Sequence, residues 1–411
     1  MKEVILKYQK DFYFDEIKGI FPKIIEFRRT IHSKPEISFN EVETTKYIQS
    51  ILNSLGIENV TILKSQSNKP DNDIGVLAKI GSGPSRIALR ADIDALPVNE
   101  ETGASFISQY DGIMHACGHD MHTAMLLGVA AILKKNEEKL KHTVYLIFQP
   151  GEEVLPGGAK LFVETEMFPQ LQLEAIFGQH INPELDIGKI ALCDGPMMAS
   201  TDELHITIYG KGSHGAQPHL GNDVVLAASN LVMNFQSIIT KFRNPLQPAV
   251  LSITSIQTGN TTNVFPNEAK LLGTLRTYNK SLRNKLVEKI KENSELCAKQ
   301  FDCEVNVDIV QGYPPLINHS NTTNYVINIG KEIFSNSQIE VAEPKMWAED
   351  FAYYTEAIPS TFWFLGVKEN NQQEIYPLHS SKLLPNDEAM IYGTIMLAAA
   401  ALEYEGNIAS K

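Results

Sequence analysis

Residues 145–153 read YLIFQPGEE and pass from an apolar segment straight into two adjacent carboxylates. Residues 144–148 have the length and apolar character of a buried β-strand. Adjacent glutamates are usually surface charge, but these two follow a segment that belongs in a core. Because adjacent side chains point in different directions, Glu153 can bind a metal while Glu152 faces the water that the metal activates and serves as its base.

Other apolar runs occur on both sides of this strand. They predict strands at residues 74–80, 86–91 and 175–178, and an Ala/Leu-rich stretch at residues 121–134 predicts a buried helix. Two earlier helices are predicted at residues 21–32 and 40–55. Strands that alternate with helices imply an α/β fold in which both faces of the sheet are covered.

The order of predicted elements changes near Ser200. A strand, a helix, two strands, a helix and a strand follow, at residues 204–209, 223–242, 250–256, 269–277, 280–301 and 304–310. This β-α-β-β-α-β order is the ferredoxin-like pattern and forms a self-contained unit. A strand at 361–365 then resumes the first pattern. We therefore expect a discontinuous α/β domain, residues 1–199 and 315–411, with a smaller domain, residues 200–314, inserted into it.

Composition narrows the class of protein. The chain of 411 residues exceeds one typical domain, and its 43% hydrophobic and 21% charged residues are ordinary for a globular protein. The formal net charge of −13 disfavours nucleic acid or an anionic membrane as a partner. No apolar run is long enough to span a bilayer, residues 1–15 lack the apolar stretch of a signal peptide, and four cysteines do not suggest a disulfide framework. We expect a cytoplasmic protein.

The densest group of metal-binding residue types is MHACGHDMH, residues 114–122, directly before the predicted buried helix. Cys117 and His119 can face one ion through the flexible Gly118. A thiolate and a neutral imidazole suit zinc or another late divalent metal.

Polar residues also follow the other predicted strands. Asp92 and Asp94 come after one strand, His180 after another, and His379 after the last. Open α/β sheets place their ligand sites beyond the carboxyl ends of the strands. These separate segments therefore predict one metal centre at a single sheet edge.

With these motifs the chain resembles the M20 metallopeptidase family. Within that family it is most similar to the amidohydrolase branch, with hippurate hydrolase, auxin–amino acid conjugate hydrolases, N-acetyldiaminopimelate deacetylase and thermostable carboxypeptidases. The matching stretches run in order along nearly the whole chain, at residues 89–97, 114–123, 149–159, 178–180, 210–219, 263–276, 348–351 and 376–381. The resemblance implies a metal-binding catalytic α/β domain with an inserted lid domain. It also implies cleavage of N-acyl amino acids to a carboxylic acid and a free amino acid.

The resemblance assigns roles to individual residues. The branch's ligands to two divalent ions (zinc, manganese, cobalt or nickel) are matched by Cys117, His119, Glu153, His180 and His379. Glu152 matches the general base, and Asp94 matches the carboxylate that orients a ligand. Asp92 falls where the wider family has a metal-binding histidine, and we leave it out of the ligand set. Because a neutral imidazole cannot bridge two ions, Cys117 together with a hydroxide is the expected bridge.

Three residues of the inserted domain complete the predicted site. His214 matches a lid histidine that stabilises the tetrahedral oxyanion, often across a dimer, so we expect a homodimer or a higher homo-oligomer. Asn263 and Arg276 bracket a strand, and the resemblance assigns them to the binding of a substrate carboxylate. The forked guanidinium of an arginine is well suited to this role. By residue type alone, the three would be an exposed loop histidine, a loop cap and a surface arginine.

Three other functions fit parts of the pattern. A related carboxypeptidase or small-peptide peptidase would act on short peptides, and trimming assays would separate it from an amidohydrolase. A cysteine hydrolase would use Cys117 with His119, although two such residues on one turn make the geometry awkward, and it would resist chelators. A metal-dependent binding protein without turnover would not require the base Glu152.

Overall fold

The computed structural model describes residues 7–64, 73–369 and 374–406, which form two compact units. Unit 1 comprises Met1–Met197, Ile317–Glu343 and Asp350–Lys411, and unit 2 comprises Met198–Leu316 and Pro344–Glu349. Residues 1–6, part of the stretch inspected for a signal peptide, lie outside the described residues. The domain boundaries expected from the sequence stay a prediction. Unit 2 also takes in residues 344–349, which that prediction assigned to the larger domain.

Strands and helices alternate over most of the chain. In chain order the strands are β1 (Glu58–Lys64), β2 (Asp73–Ile80), β3 (Arg86–Asp92), β4 (Thr143–Gln149), β5 (Ala175–Asp186), β6 (Ile190–Leu192), β7 (Gly195–Met198), β8 (Asp202–Tyr209), β9 (Ala249–Gln257), β10 (Glu268–Thr277), β11 (Glu304–Gln311), β12 (Leu316–Asn318), β13 (Ile339–Val341) and β14 (Ser360–Lys368). The α-helices are α1 (Lys10–His32), α2 (Val42–Ser54), α3 (His119–Lys135), α4 (Gly158–Val163), α5 (Met167–Gln170), α6 (Val224–Phe242), α7 (Lys280–Gln300), α8 (Ser320–Ile333), α9 (Ala352–Ala357) and α10 (Ala389–Leu402).

Unit 1 is built on a mixed sheet with the strand order β1-β2-β4-β3-β5-β14-β6-β13. Strands β4, β3, β5 and β14 run parallel, and β1, β2 and β6 add antiparallel pairings. The central strands are almost entirely buried, because helices cover the sheet. The α/β class expected from the sequence is confirmed.

Helices α1, α3 and α10 pack against one another beside this sheet. Fourteen residues of helix α3 and twelve of α10 are buried, so both helices are enclosed on most sides. The helix predicted at residues 21–32 begins at Lys10 instead and contains Pro22. Buried Tyr13 and Ile17 extend its apolar face, so packing outweighs the backbone hydrogen bond that an internal proline removes.

Strand β5 is longer than the sequence predicted. The expected strand ended at Gly178, but β5 continues to Asp186 because β14 pairs with it in parallel over most of this length. His180 therefore lies within a strand, opposite Phe364, rather than after it.

Unit 2 has its own sheet and its own core. Its elements follow the order β8-α6-β9-β10-α7-β11, and its antiparallel sheet has the strand order β11-β8-β10-β9. Helices α6 and α7 bury Leu231, Phe235, Leu286 and Ile290 in the core of this unit.

None of the helices in the described residues combines the length and the apolar character needed to cross a membrane.

Candidate metal centre

The side chains predicted for the metal site come together at one edge of the unit 1 sheet. Asp94 follows β3, Glu152 and Glu153 follow β4, and His379 comes after β14. In the β3–β5 pair, Arg90 lies opposite Gly178, so His180 is level with the end of β3. Parallel neighbouring strands thus bring residues that are distant in sequence to a common edge.

Gly118 allows Cys117 and His119 to face the same place. Its φ of 82° is left-handed, and a Cβ on it would lie 2.3 Å from the Ile181 side chain. Glycine is therefore required at this turn. The Cys117 Sγ lies 3.3 Å from His180 Nε2, and both side chains are buried.

Asp94 orients the His119 ring. His119 Nδ1 lies 3.0 Å from the Asp94 carbonyl oxygen and 3.2 Å from its carboxylate, so Nδ1 carries the proton. In the neutral ring the fully buried Nε2 then offers a lone pair, and it has no hydrogen-bond partner among the residues that the structure describes. A ring nitrogen held in this way is a typical metal ligand.

The Asp94 carboxylate also holds the turn that carries the paired glutamates. It accepts hydrogen bonds from Ser38 Oγ at 2.6 Å and from the backbone N–H of Glu153 at 2.9 Å. Asp94 therefore links the turn after β4 to the His119 ring.

Glu153 and His379 form the more exposed side of the centre. Glu153 Oε1 lies 3.3 Å from His379 Nε2 and 3.9 Å from His119 Nε2. This buried oxygen accepts no hydrogen bond within the described parts of the chain. His379 adopts a left-handed φ of 68° and donates its backbone N–H to Ala116 at 2.8 Å. Strained backbone of this kind is concentrated at functional sites.

The five predicted ligands form two overlapping clusters that share Cys117. In each cluster the ligand atoms lie within 4.8 Å of one another, and the clusters are Cys117 with His119 and His180, and Cys117 with Glu153 and His379. Two atoms bound to one tetrahedral zinc at about 2.0–2.3 Å would be roughly 3.3–3.6 Å apart. The 3.3 Å separations in both clusters fit this value. Two buried acceptors without a hydrogen-bond partner in the described residues, His119 Nε2 and Glu153 Oε1, lie 3.9 Å apart, and this arrangement fits a divalent cation.

Glu152 lies beside the first cluster. It is buried, and one carboxylate oxygen lies within 4.8 Å of ligand atoms of His119 and Glu153. This position suits a base next to the ions. Its role, like that of the five ligands, stays a prediction.

The electrostatics of the centre favour a bound cation. Burial raises the pKa of the Cys117 thiol well above its ordinary value, and Glu153 and Glu152 raise it further. Burial by itself lowers the pKa of His119, but Asp92, Asp94 and Glu153 raise it to about 10, so that a proton occupies Nε2 until a cation takes its place. Cys117 can become a thiolate here only beside a cation. A thiol that stays protonated is a poor nucleophile, which counts against the cysteine-hydrolase alternative.

Asp92 and His122 support the centre through hydrogen bonds. The Asp92 carboxylate accepts hydrogen bonds from Arg90 and from His122 Nδ1, both at 2.6 Å. His122 Nε2 accepts the backbone N–H of Ile181 at 3.0 Å, which fixes the strand next to His180. Leaving Asp92 out of the ligand set stays a prediction, because its carboxylate lies within 4.8 Å of ring nitrogens of His119 and His122. His122 was overlooked as a supporting residue, although it lies one helical turn after His119.

In unit 2 the structure brings His214 and Asn263 together. Val264 forms a bridge with His214, and Gly215 donates its N–H to the Asn263 carbonyl at 2.7 Å. His214 is exposed, and its Nδ1 accepts the N–H of Ala216 at 3.0 Å. Its Nε2 therefore carries the proton of the neutral ring and can act as a donor.

Arg276 lies at the opposite end of β10 from Asn263. Residues 263–265 pair with residues 213–215 beyond the start of β10, so they extend the pairing of β10 with β8 away from Arg276. The strand from Glu268 to Arg276 itself spans about 26 Å at 3.3 Å per residue. Arg276 is half-buried, and its acidic neighbour Asp202 already binds Arg283 at 2.6 Å. The expectation that Asn263 helps Arg276 to hold one carboxylate is therefore wrong within a single chain.

Unit 1 thus has the architecture of a metallohydrolase, with thiol, imidazole and carboxylate groups at the edge of an α/β sheet. A model of peptidase family M20/M25/M40 matches residues 88–403. The chain belongs to this family, whose members are hydrolases of amide or peptide bonds.

Relatives and solved structures agree with this assignment. The chain is 39% identical to an N-acetyl-L-cysteine deacetylase of Bacillus subtilis, over 84% of this chain and 80% of the relative. It is 35% identical to thermostable carboxypeptidase 1 of Saccharolobus solfataricus, over 95% and 97% of the two chains. A crystal structure of the Bacillus subtilis YXEP protein, described as a dinuclear metal-binding M20 peptidase, superposes with a TM-score of 0.78 at 34% identity, covering 94% of this chain and 98% of that one.

Proposed function

We propose that this protein is an amidohydrolase that uses two divalent ions to cleave N-acyl amino acids into a carboxylic acid and a free amino acid. The observation that carries the proposal is the meeting of five metal-binding side chains and the buried Glu152 at one sheet edge. The similarity to a deacetylase of an N-acetylated amino acid supports the same substrate class.

The ligands would be Cys117, His119, Glu153, His180 and His379, and Cys117 belongs to both clusters of ligand atoms. When bound, divalent ions supply Lewis acidity and lower the pKa of a water at the centre. Glu152 takes the proton of the attacking water and returns it to the leaving amine. Asp94 keeps His119 in the tautomer that leaves Nε2 free, through the contacts at 3.0 and 3.2 Å.

We propose that residues 200–314, which make up most of unit 2, form an inserted lid domain of ferredoxin-like topology. The β-α-β-β-α-β order and the antiparallel strand order β11-β8-β10-β9 support this proposal. We further propose a homodimer or higher homo-oligomer. Asn263 and Arg276 lie at opposite ends of β10, so one substrate carboxylate can touch both only if they come from two copies of the chain. The cytoplasmic location stays an expectation.

His214 is proposed to donate a hydrogen bond from Nε2 to the oxyanion that forms during amide cleavage. His214→Ala is expected to lower kcat by about 10²–10³, the range for loss of an oxyanion donor, without changing metal content. His219→Ala, in the same exposed segment, is the control and should keep the wild-type kcat. If His214 acts across a dimer, mixing His214→Ala protein with Glu152→Gln protein restores part of the activity. If His214→Ala keeps the wild-type kcat, His214 is an exposed loop residue and donates no hydrogen bond to the oxyanion.

Arg276 is proposed to bind the free carboxylate of the amino-acid part of the substrate. A charge-assisted hydrogen bond contributes about 1.5–3 kcal/mol, so Arg276→Ala should lower kcat/KM by roughly 10- to 150-fold. Lysine should rescue only partly, because it keeps the charge but loses the fork. Lys270→Ala, which removes an exposed cation from the same strand, is the control and should have little effect.

The informative comparison for Arg276 uses an acylated amino acid and its carboxamide. The wild-type enzyme should prefer the free acid, and Arg276→Ala should lose most of this preference. An equal loss on both substrates would mean that Arg276 supports the fold of unit 2 and binds no carboxylate.

A hydrolysis screen tests the proposed function as a whole. Acetyl, benzoyl and long-chain acyl groups are combined with a range of amino acids, alongside di- and tripeptides, with manganese, cobalt and zinc supplied in turn. Turnover of acylated amino acids ahead of peptides supports the proposal. Faster trimming of peptides would favour the second candidate function, that of a carboxypeptidase. The similarity to thermostable carboxypeptidase 1 supports this candidate. No turnover of either class would refute both.

A further inference from the structure

Glu41 is a fully buried carboxylate to which the proposed reaction gives no role. It directly precedes helix α2, yet its side chain does not cap that helix. The capping carboxylate is Glu36, which accepts hydrogen bonds from the N–H groups of Glu43 and Thr44 at 3.2 and 2.8 Å. Helix α2 therefore does not account for the Glu41 side chain.

The Glu41 side chain reaches the turn that carries the proposed base. Its Oε1 accepts the backbone N–H of Gly151 at 2.7 Å. Asp94 accepts the N–H of Glu153 at the other end of the same turn, at 2.9 Å. Two buried carboxylates from distant parts of the chain thus hold the two residues on either side of Glu152.

The conformation of this turn depends on such support. Gly151 has a left-handed φ of 67°, and the Phe39 ring lies 2.4 Å from the place a Cβ would occupy. Glycine has the largest conformational freedom of any residue, so the direction of the next side chain must be fixed by contacts around it.

The Glu41 backbone is itself anchored. Its carbonyl accepts hydrogen bonds from Thr45 N–H at 3.0 Å and from Thr45 Oγ at 2.6 Å, and the same hydroxyl accepts the N–H of Gly75 in β2 at 2.9 Å. Meanwhile Oε2 has no hydrogen-bond partner within the described ranges of the chain. Burying an unsatisfied polar atom is unfavourable, so a glutamate at position 41 lowers the stability of the folded protein.

We propose that Glu41 is a positioning residue for the general base: by holding the Gly151 amide it keeps the Glu152 carboxylate aimed at the attacking water. This inference rests on the proposed role of Glu152. Glu41 acts through the backbone and touches neither substrate nor metal.

The test compares two replacements of similar size, Glu41→Met and Glu41→Gln. Methionine fills the space but cannot accept the Gly151 N–H, and a small displacement of a catalytic group can cost on the order of 10²-fold, so kcat should fall roughly 10- to 100-fold. KM and metal content should change by less than about twofold, because the ligands keep their own supports. The glutamine oxygen can still accept the amide, so Glu41→Gln should recover most of the turnover, to within about fivefold of wild type.

Hydrogen–deuterium exchange provides a readout that is independent of activity. In Glu41→Met the amides of the peptide covering residues 149–153 should exchange at least about tenfold faster than in wild type, and in Glu41→Gln at nearly the wild-type rate. Glu36→Ala is the control, because it removes a neighbouring carboxylate whose hydrogen bonds, within the described residues, go to helix α2. It should lower the melting temperature without changing kcat or the exchange of this peptide.

Several outcomes would overturn the proposal. They are wild-type kcat in Glu41→Met, an equal loss in Glu41→Gln, and a loss that follows metal content. If Glu41→Met does not fold, Glu41→Gln decides, since slow turnover together with fast exchange of residues 149–153 would contradict the proposed contact. If the wild-type enzyme hydrolyses no acylated amino acid, the proposed function fails. The exchange measurement still tells whether Glu41 holds the turn.

Discussion

Glu152→Gln is expected to lower kcat by roughly 10²–10⁴, the range for loss of a general acid–base group. The amide keeps the size of the side chain but cannot take a proton from water. Because Glu152 lies beside the proposed ligands and is not counted among them, metal content and melting temperature should stay close to wild type. Steady-state kinetics, metal analysis and a thermal melt on one preparation measure all three quantities.

The neighbouring residue provides the matched control for this prediction. Glu153→Gln should lower metal occupancy, since Glu153 Oε1 is buried, accepts no hydrogen bond from the described residues and lies 3.3 Å from His379 Nε2. If Glu152→Gln loses metal and Glu153→Gln keeps it, base and ligand are interchanged. Full turnover in Glu152→Gln would remove Glu152 from the mechanism.

Removal of the metal is expected to abolish activity, and a divalent ion should restore it. The ligand atoms form two clusters, each within 4.8 Å, so fully loaded protein should contain more than one ion per chain. His119→Ala should reduce both metal content and activity, because its Nε2 is held ready by Asp94. Dialysis against a chelator, elemental analysis and assay before and after addition of zinc, manganese or cobalt measure these effects.

His115→Gln is the control for metal removal. His115 is buried in the same segment as Cys117 and His119 but belongs to neither cluster, so its replacement should leave metal content unchanged. Full turnover by metal-free protein would exclude the two-ion centre. Equal metal loss in His115→Gln and His119→Ala would mean that the segment, rather than the His119 nitrogen, determines binding.

Much of the fold was predictable because the strands that carry the site are short, apolar and bounded by polar residues. The strands expected at residues 74–80, 86–91 and 144–148 correspond to β2, β3 and β4 within one or two residues at each end. The length of β5 was not predictable, since it depends on pairing with β14, which comes much later in the chain. The start of α1 at Lys10 was not predicted, since it depends on the burial of Tyr13 and Ile17 in the core.

The candidate site was predictable where the residue type itself carries the chemistry, as for Cys117, His119 and the paired glutamates. Supporting residues carry no comparable signal. Glu41 is an ordinary glutamate in sequence, and only the fold brings it 2.7 Å from the Gly151 amide. The separation of Asn263 and Arg276 was equally hidden, because the sequence does not tell whether residues 263–265 fold back or continue the ladder.

The place of β14 in the unit 1 sheet has a consequence for synthesis of the protein. β14 lies between β5 and β6, although both of these strands precede all of unit 2 in the chain. A nascent chain that ends before Ser360 therefore has a gap in the middle of its main sheet, whereas the four strands of unit 2 are already complete. Because domains fold as units during synthesis and long-range strand pairing is slow, unit 2 can form on the ribosome before unit 1 closes. His379 is made later still, so the proposed set of ligands cannot be complete until the chain has been synthesised past residue 379.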